Sequence, residues 1–140
     1  MWIQYPILVL LCLTIALWLT TFKLRLKAVL SRQITPHDLF FANTQSLSER
    51  AILLGKNYDN QFQLPLLFLL GLFFVELELL DGAFWKVSAW IFVVTRLWHS
   101  YEHVIAMNLR RRTIAFTLNA CSVFTLWIGL MIHMVQVTQS

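Results

Sequence analysis

Four stretches of apolar residues, each about as long as the 20 residues a helix needs to cross the hydrocarbon core of a bilayer, take up most of this 140-residue chain. Met1 to Phe22 holds no charge. Ile52 to Val75 is polar in its first half and apolar in the rest, and Val87 to Leu109 is apolar but interrupted by a few ionisable groups. Thr113 to Ser140 carries only His133. A backbone in lipid must satisfy its own polar groups, so such stretches fold as helices. At 59% hydrophobic and 13% charged, the chain lies far from the soluble average. The expectation is an all-α integral membrane protein, a four-transmembrane-helix bundle. It forms a single domain over residues 1–140, with helices over about 2–27, 48–79, 84–108 and 112–137.

The first stretch is not a secretion signal, because its positive charges follow the apolar run and no small-residue cleavage pattern is present; it is expected to stay as an anchor. Lys23, Arg25, Lys27 and Arg32 fall in the first loop and Arg110, Arg111 and Arg112 in the third. The second loop holds Glu76, Glu78, Asp81 and only Lys86. By the bias of Lys and Arg to cytoplasmic loops, loops one and three face the cytoplasm and both termini lie outside it. These flanks account for the net charge of +4, so no nucleic-acid partner is expected. Cys12 and Cys121 lie in apolar spans, where a thiol packs as a small hydrophobe, and no CxxC motif accompanies them.

Between Lys23 and Glu49 the chain turns polar, with Ser31, Thr35-Pro36 and Asn43 as breakers. Asp38 is placed to cap a short helix, and Ser46 with Glu49 fits a capping box at the start of the second span. Pro65 is expected to kink that span. Asp81-Gly82 reads as a tight turn, with Trp85 and Trp90 in the aromatic belt beside it.

Polar side chains inside a span are costly and turn toward protein or a wet cavity. In the third span Arg96, His99 and His103 are spaced i, i+3, i+7 and fall within roughly 60° of one face. In the second, Asn57, Asn60 and Gln61 share a face, while Asp59 points elsewhere, toward Lys56 one turn away. Measured from the basic ends of their helices, Asn57 to Gln61 lie roughly 10 to 17 Å deep, His103 roughly 10 Å and Arg96 roughly 20 Å. The two stripes therefore overlap in height. With Arg110 to Arg112 at the mouth, they predict a positive cavity open to the cytoplasm, suited to a small anionic or amphiphilic ligand with an apolar tail. The plainer alternative is that the amides are interhelical glue. His99 to His103 also reads His-x-x-Glu-His, a zinc-peptidase pattern. No Asp or Glu follows Glu102 to complete a ligand set, and Arg96 would repel a dication, so no metal is expected. His133, near the far end of the last span, reads as a packing or interfacial histidine.

Two segments carry a family resemblance. Val94 to His99, followed by Asn108 to Thr117 with the run Arg110-Arg111-Arg112-Thr113, resembles the MAPEG family, the membrane-associated proteins in eicosanoid and glutathione metabolism. There an Arg-x-x-His on helix three is followed by a basic loop and an Arg-Ser or Arg-Thr opening helix four. Asn57 to Pro65 resembles the Asn-rich stretch before a proline in the bacterial branch of that family. The resemblance implies a homotrimer of four-helix bundles, in a bacterial inner membrane, with glutathione bound between subunits beside a groove for a lipophilic substrate. It implies a binding site of Asn57, Asn60, Gln61, Arg96, His99 and His103, the last replacing an aromatic side chain common in the family. It also implies that Arg112 and Thr113 sit by the glutathione sulfur, for a transferase or peroxidase acting on lipophilic molecules. Three positions depart from the glutathione-using pattern. Its Arg-x-x-x-Asn-x-x-Glu on helix two reads Leu53, Asn57, Asn60 here, and Phe116 stands where several members have tyrosine. The same fold also admits a non-catalytic lipid-binding or scaffold protein.

Overall fold

The computed structural model describes residues 2–40 and 46–139. Asn43, expected as a loop breaker, lies outside them, as do Met1 and Ser140 at the ends of the outermost apolar stretches. Helix α1, Gln4–Leu30, runs eight residues past the end of its charge-free stretch. Lys23, Arg25 and Lys27, expected in a loop, therefore belong to its last turns. Lys, Arg, Leu and Ala are strong helix formers, and cations near a helix C-terminus are favoured by the backbone dipole. The helix ends at Arg32, whose φ of 56° lets the Gln33 N–H return to the Ala28 carbonyl at 2.9 Å.

The short helix α2, Pro36–Phe40, is closed by a reciprocal box. The Asp38 carboxylate accepts from the Thr35 N–H at 2.8 Å, and the Asp38 N–H donates to the Thr35 hydroxyl at 3.2 Å. Helix α3, Glu49–Asp59, is capped by Ser48, whose hydroxyl accepts from the Ala51 N–H at 3.3 Å. The box expected from Ser46 gives way because Ser48 is the residue left extended just before the first turn.

The second span does not bend at Pro65; it breaks before it. A 3-10 turn, Asn60–Phe62, separates α3 from α4, Leu64–Leu77. Pro65 then lies in the first turn of α4, where its missing N–H costs nothing. Helix α5 covers Ala83–Val104 and α6 covers Leu109–Gln139. Their link, residues 105–108, falls earlier than the expected one, so Arg110, Arg111 and Arg112, expected in a loop, lie in the first turn of α6. Met107 takes a φ of 50°, and the Asn108 side chain accepts from the Arg111 N–H at 3.1 Å, which starts α6 at Leu109.

The result is an all-α membrane protein built as a four-helix bundle, with α3 and α4 as two halves of one span. Three stretches, 4–30, 49–77 and 109–139, are long and apolar enough to cross a membrane on composition alone. The 22 residues of α5 reach about 33 Å, and its polar residues are turned into the bundle, where their cost to lipid is avoided. Helices α5 and α6 pack most extensively, and α4 closes on α6. At the end of the bundle near the α4–α5 turn, Phe68 and Phe92 stack with ring centroids 4.0 Å apart, amid buried Leu72, Val75, Val123, Leu126 and Leu130. Gly71 lets α4 approach α6, since a Cβ there would collide with the Leu126 side chain. Buried Asn119 fastens α6 to α5, donating to the Phe92 carbonyl at 2.9 Å and the Thr95 hydroxyl at 3.1 Å. His133 meets Glu78 at 3.7 Å. Cys12 and Cys121, expected to pack inside, face outward; lipid accepts a small apolar group as readily as a core does.

Candidate functional site

The break before Pro65 builds the centre of the site. An uninterrupted helix would commit the Asn60 and Gln61 carbonyls to N–H groups one turn on. Here the turn is opened and Pro65 has no N–H to give. The fully buried Arg96 takes up the slack: its guanidinium donates to the Asn60 carbonyl at 2.8 Å and, through Nε, to the Gln61 side-chain oxygen at 3.3 Å. Gln61 in turn donates to the Asn57 carbonyl at 3.1 Å, and Ser100 donates to the Asn57 side-chain oxygen at 3.4 Å. The stripes of α3 and α5 thus meet at one height. Arg96 is nonetheless held by neutral oxygens, with no carboxylate in ion-pair range among the described residues.

In front of this layer opens a cleft of about 440 Å³. Its polar walls are Lys56, Asp59 and Asn60 from the α3 side, His99 and His103 from α5, and Arg112 from α6, with Phe116 as an apolar flank. The His99 Nδ1 meets the Arg112 carbonyl at 3.2 Å, tying the start of α6 to α5. The two imidazoles stand nearly perpendicular, centroids 5.6 Å apart. His99 Nε2 and both nitrogens of His103 are buried without a hydrogen-bond partner. Such groups cost roughly 1–3 kcal/mol each when left unpaired, so this cluster sets the polar character of the cleft beside it.

The residues singled out from sequence divide into two sets. Asn60, His99, His103 and Arg112 line the cleft. Arg96, Asn57 and Gln61 form the buried layer behind it and do not line it. Thr113 belongs to neither, since its hydroxyl turns back to the Leu109 carbonyl at 2.9 Å on an exposed face. Asp59 faces the cleft rather than away from it, beside Lys56 but outside ion-pair distance.

Glu102 was weighed from the sequence only as part of the His-x-x-Glu-His pattern. It is buried, accepts from the Trp98 indole at 3.0 Å, and has Arg111 4.0 Å away. Through Arg111 it ties α5 to the first turn of α6, which carries Arg112. The signal was present, as Glu102 is the one carboxylate inside the third span.

A sequence model of the MAPEG family matches residues 3–132, nearly the whole chain. The chain belongs to the MAPEG family. No curated protein matches it, and no solved structure does. For a MAPEG chain, the helix-two position occupied by Asn60 is instructive. Its backbone carbonyl, not a side-chain carboxylate, receives the helix-three arginine, so the guanidinium keeps its full charge beside the cleft.

Proposed function

We propose that this MAPEG protein binds glutathione in the cleft between α3, α5 and α6 and uses its thiol to conjugate or reduce a lipophilic electrophile. The observation that carries this reading is an excess of positive charge and unpaired imidazole nitrogens around one cleft. Lys56 and Arg112 line the cleft, Arg96 lies behind it without a carboxylate, and His103 has two free nitrogens. The volume lies in the range of small-molecule sites. The chemistry fits the tripeptide: two carboxylates find Lys56 and Arg112, its ammonium finds Asp59, and its amides find Asn60 and the imidazoles.

Bound glutathione supplies the thiol that acts as nucleophile. Arg112, at the start of α6, favours the anionic form of a thiol placed beside it, because a fixed cation in a low-dielectric cleft stabilises the charged state. Arg96, Gln61 and Asn57 hold the 3-10 turn in place and so orient Asn60. Thr113, whose hydroxyl is engaged within its own helix, leaves the activating role to Arg112. The apolar flank at Phe116 borders the membrane, from which a lipophilic substrate enters. The proposal includes a homotrimer in a bacterial inner membrane, the cleft open to the cytoplasm and both termini outside, as the charge bias of the loops supports.

Calorimetric titration of the purified protein with glutathione tests the reading. Wild type binds, and Arg112→Ala binds at least tenfold more weakly, as expected on losing a charge-assisted hydrogen bond. Absence of heat with wild type rules glutathione out. The second reading, a non-catalytic lipid-binding or scaffold protein of the same fold, draws on Leu53 and Asn60 standing where glutathione users carry arginine and glutamate. It requires that Arg112 be replaceable without consequence.

A further inference from the structure

A second cavity, sharing no lining residue with the cleft, runs between α1 and α5. Its volume is about 320 Å³. The buried cluster of Leu17, Leu54 and Val104 forms its floor, and outward-facing Leu97 and Ile105 form one rim. On the opposite rim Ala16 and Thr20 are short enough to leave the groove open. The interior offers few free polar groups. The Thr20 hydroxyl donates to the Ala16 carbonyl at 2.7 Å and the Ser100 hydroxyl is held by Asn57, which leaves Tyr101 as the remaining polar side chain of the lining besides Arg50. Lengthwise the groove follows α5 from Leu97 to Ile105, about 12 Å. At its end stands Arg50, in the first turn of α3, exposed and without an ion pair among the described residues. Glu49 shares that turn and is also exposed, while Lys23 and Lys27 lie in the last turns of α1, which keeps this end of the bundle basic.

We infer that this groove seats one acyl chain of an anionic phospholipid, with the headgroup phosphate on Arg50. A channel that is apolar along its length and cationic only at the interfacial end has the polarity of a lipid. The guanidinium fork matches a phosphate, and a long basic side chain keeps its head at the membrane surface while its stem follows apolar walls. A zwitterionic lipid fills the channel equally well but lacks the net charge that Arg50 selects.

The full chain, reconstituted in phosphatidylcholine vesicles containing phosphatidylglycerol with a photoreactive acyl chain, tests this. Label is expected on Leu17, Leu97 and Ile105. Unlabelled phosphatidylglycerol should displace it, and added phosphatidylcholine or inorganic phosphate should not. Ala16→Phe and, independently, Thr20→Phe should abolish labelling by filling the groove, with helix content checked by circular dichroism. Arg50→Gln should keep the label but lower the preference for the anionic lipid about fivefold. Label spread evenly over the outer faces of α1 and α5 overturns the inference. So does equal displacement by phosphatidylcholine, or loss of label to inorganic phosphate alone. Absence of label from the groove, as when a second copy covers it, also overturns it. Because the groove and the cleft have separate linings, glutathione binding and lipid labelling succeed or fail independently.

Discussion

From Ala83 to Val93, α5 buries Ser88, Ala89, Phe92 and Val93; from Thr95 to Val104 it buries Thr95, Arg96, His99, Ser100, Glu102, His103 and Val104. One helix, packed on the same neighbour α6, is thus cored by dispersion at one end and by polar groups at the other. The apolar half is close to self-sufficient. Phe92 stacks on Phe68, the surrounding aliphatic side chains interlock, and Asn119 donates to the Phe92 carbonyl while its own side-chain oxygen is left unpaired. The polar half is not, since it leaves imidazole nitrogens, one Glu102 oxygen and one Asn57 nitrogen buried and unpaired. The two ends teach that burial in this bundle serves two purposes. One end holds the helices together, and the other leaves a charged, partly unsatisfied surface beside the cleft.

If that division holds, the two halves should respond differently to substitution. Phe92→Ala should have the largest effect, lowering stability by about 3–5 kcal/mol through the cavity and the lost stack, while glutathione affinity of the folded fraction is unchanged. Thermal unfolding in detergent and calorimetry read the two quantities, and an affinity loss would break the comparison. Arg96→Ala should cost about 3 kcal/mol by leaving the Gln61 and Asn60 oxygens without a donor, and in contrast should also weaken glutathione binding. Equal affinity in wild type and variant would reduce Arg96 to packing. Glu102→Gln should lower stability by about 1–2 kcal/mol and weaken binding less than Arg112→Ala does, because it acts only by holding Arg111. A loss equal to that of Arg112→Ala would place Glu102 at the ligand rather than at the tie between α5 and the first turn of α6. The smallest effect is expected at Ser48→Ala, about 1 kcal/mol from the lost N-cap, with both ends of α5 untouched as judged by binding.

Much of this organisation is legible in the sequence, for identifiable reasons. The apolar stretches exceed bilayer thickness, and 3.6-residue periodicity puts Arg96, His99 and His103 on one face, so the spans and the polar stripe need no tertiary information. The pairing of that stripe with α3 also follows, because helix rise gives depth. The break at Gln63 is only half legible. Pro65 announces a disturbance, but a kink and a 3-10 turn are both open to a proline, and the choice was made by Arg96 claiming the Asn60 carbonyl. Asp59, judged to point away, shares the face of Lys56 one turn before it, and the cleft opens on that face rather than on the face of Asn57. The expected bounds of α1, about 2–27, come close to the observed Gln4–Leu30, but its basic residues were counted with the loop, and a helix does not have to end where lipid does.

By itself the sequence determined that this chain is helical, that it lives in a membrane and that it carries charge where lipid forbids it. Those properties are set by runs of neighbouring residues and by the solvent they must face. Only the tertiary structure decided which polar residues reach the cleft and which stand behind it. Asn60, His99, His103 and Arg112 were brought to the opening, Arg96, Asn57 and Gln61 to the layer beneath, and Thr113 to neither. That sorting depends on how far one helix is rotated against the next and on where a single helix break falls. Both are settled by contacts between residues some 35 positions apart, such as Arg96 with Gln61, which no local pattern encodes.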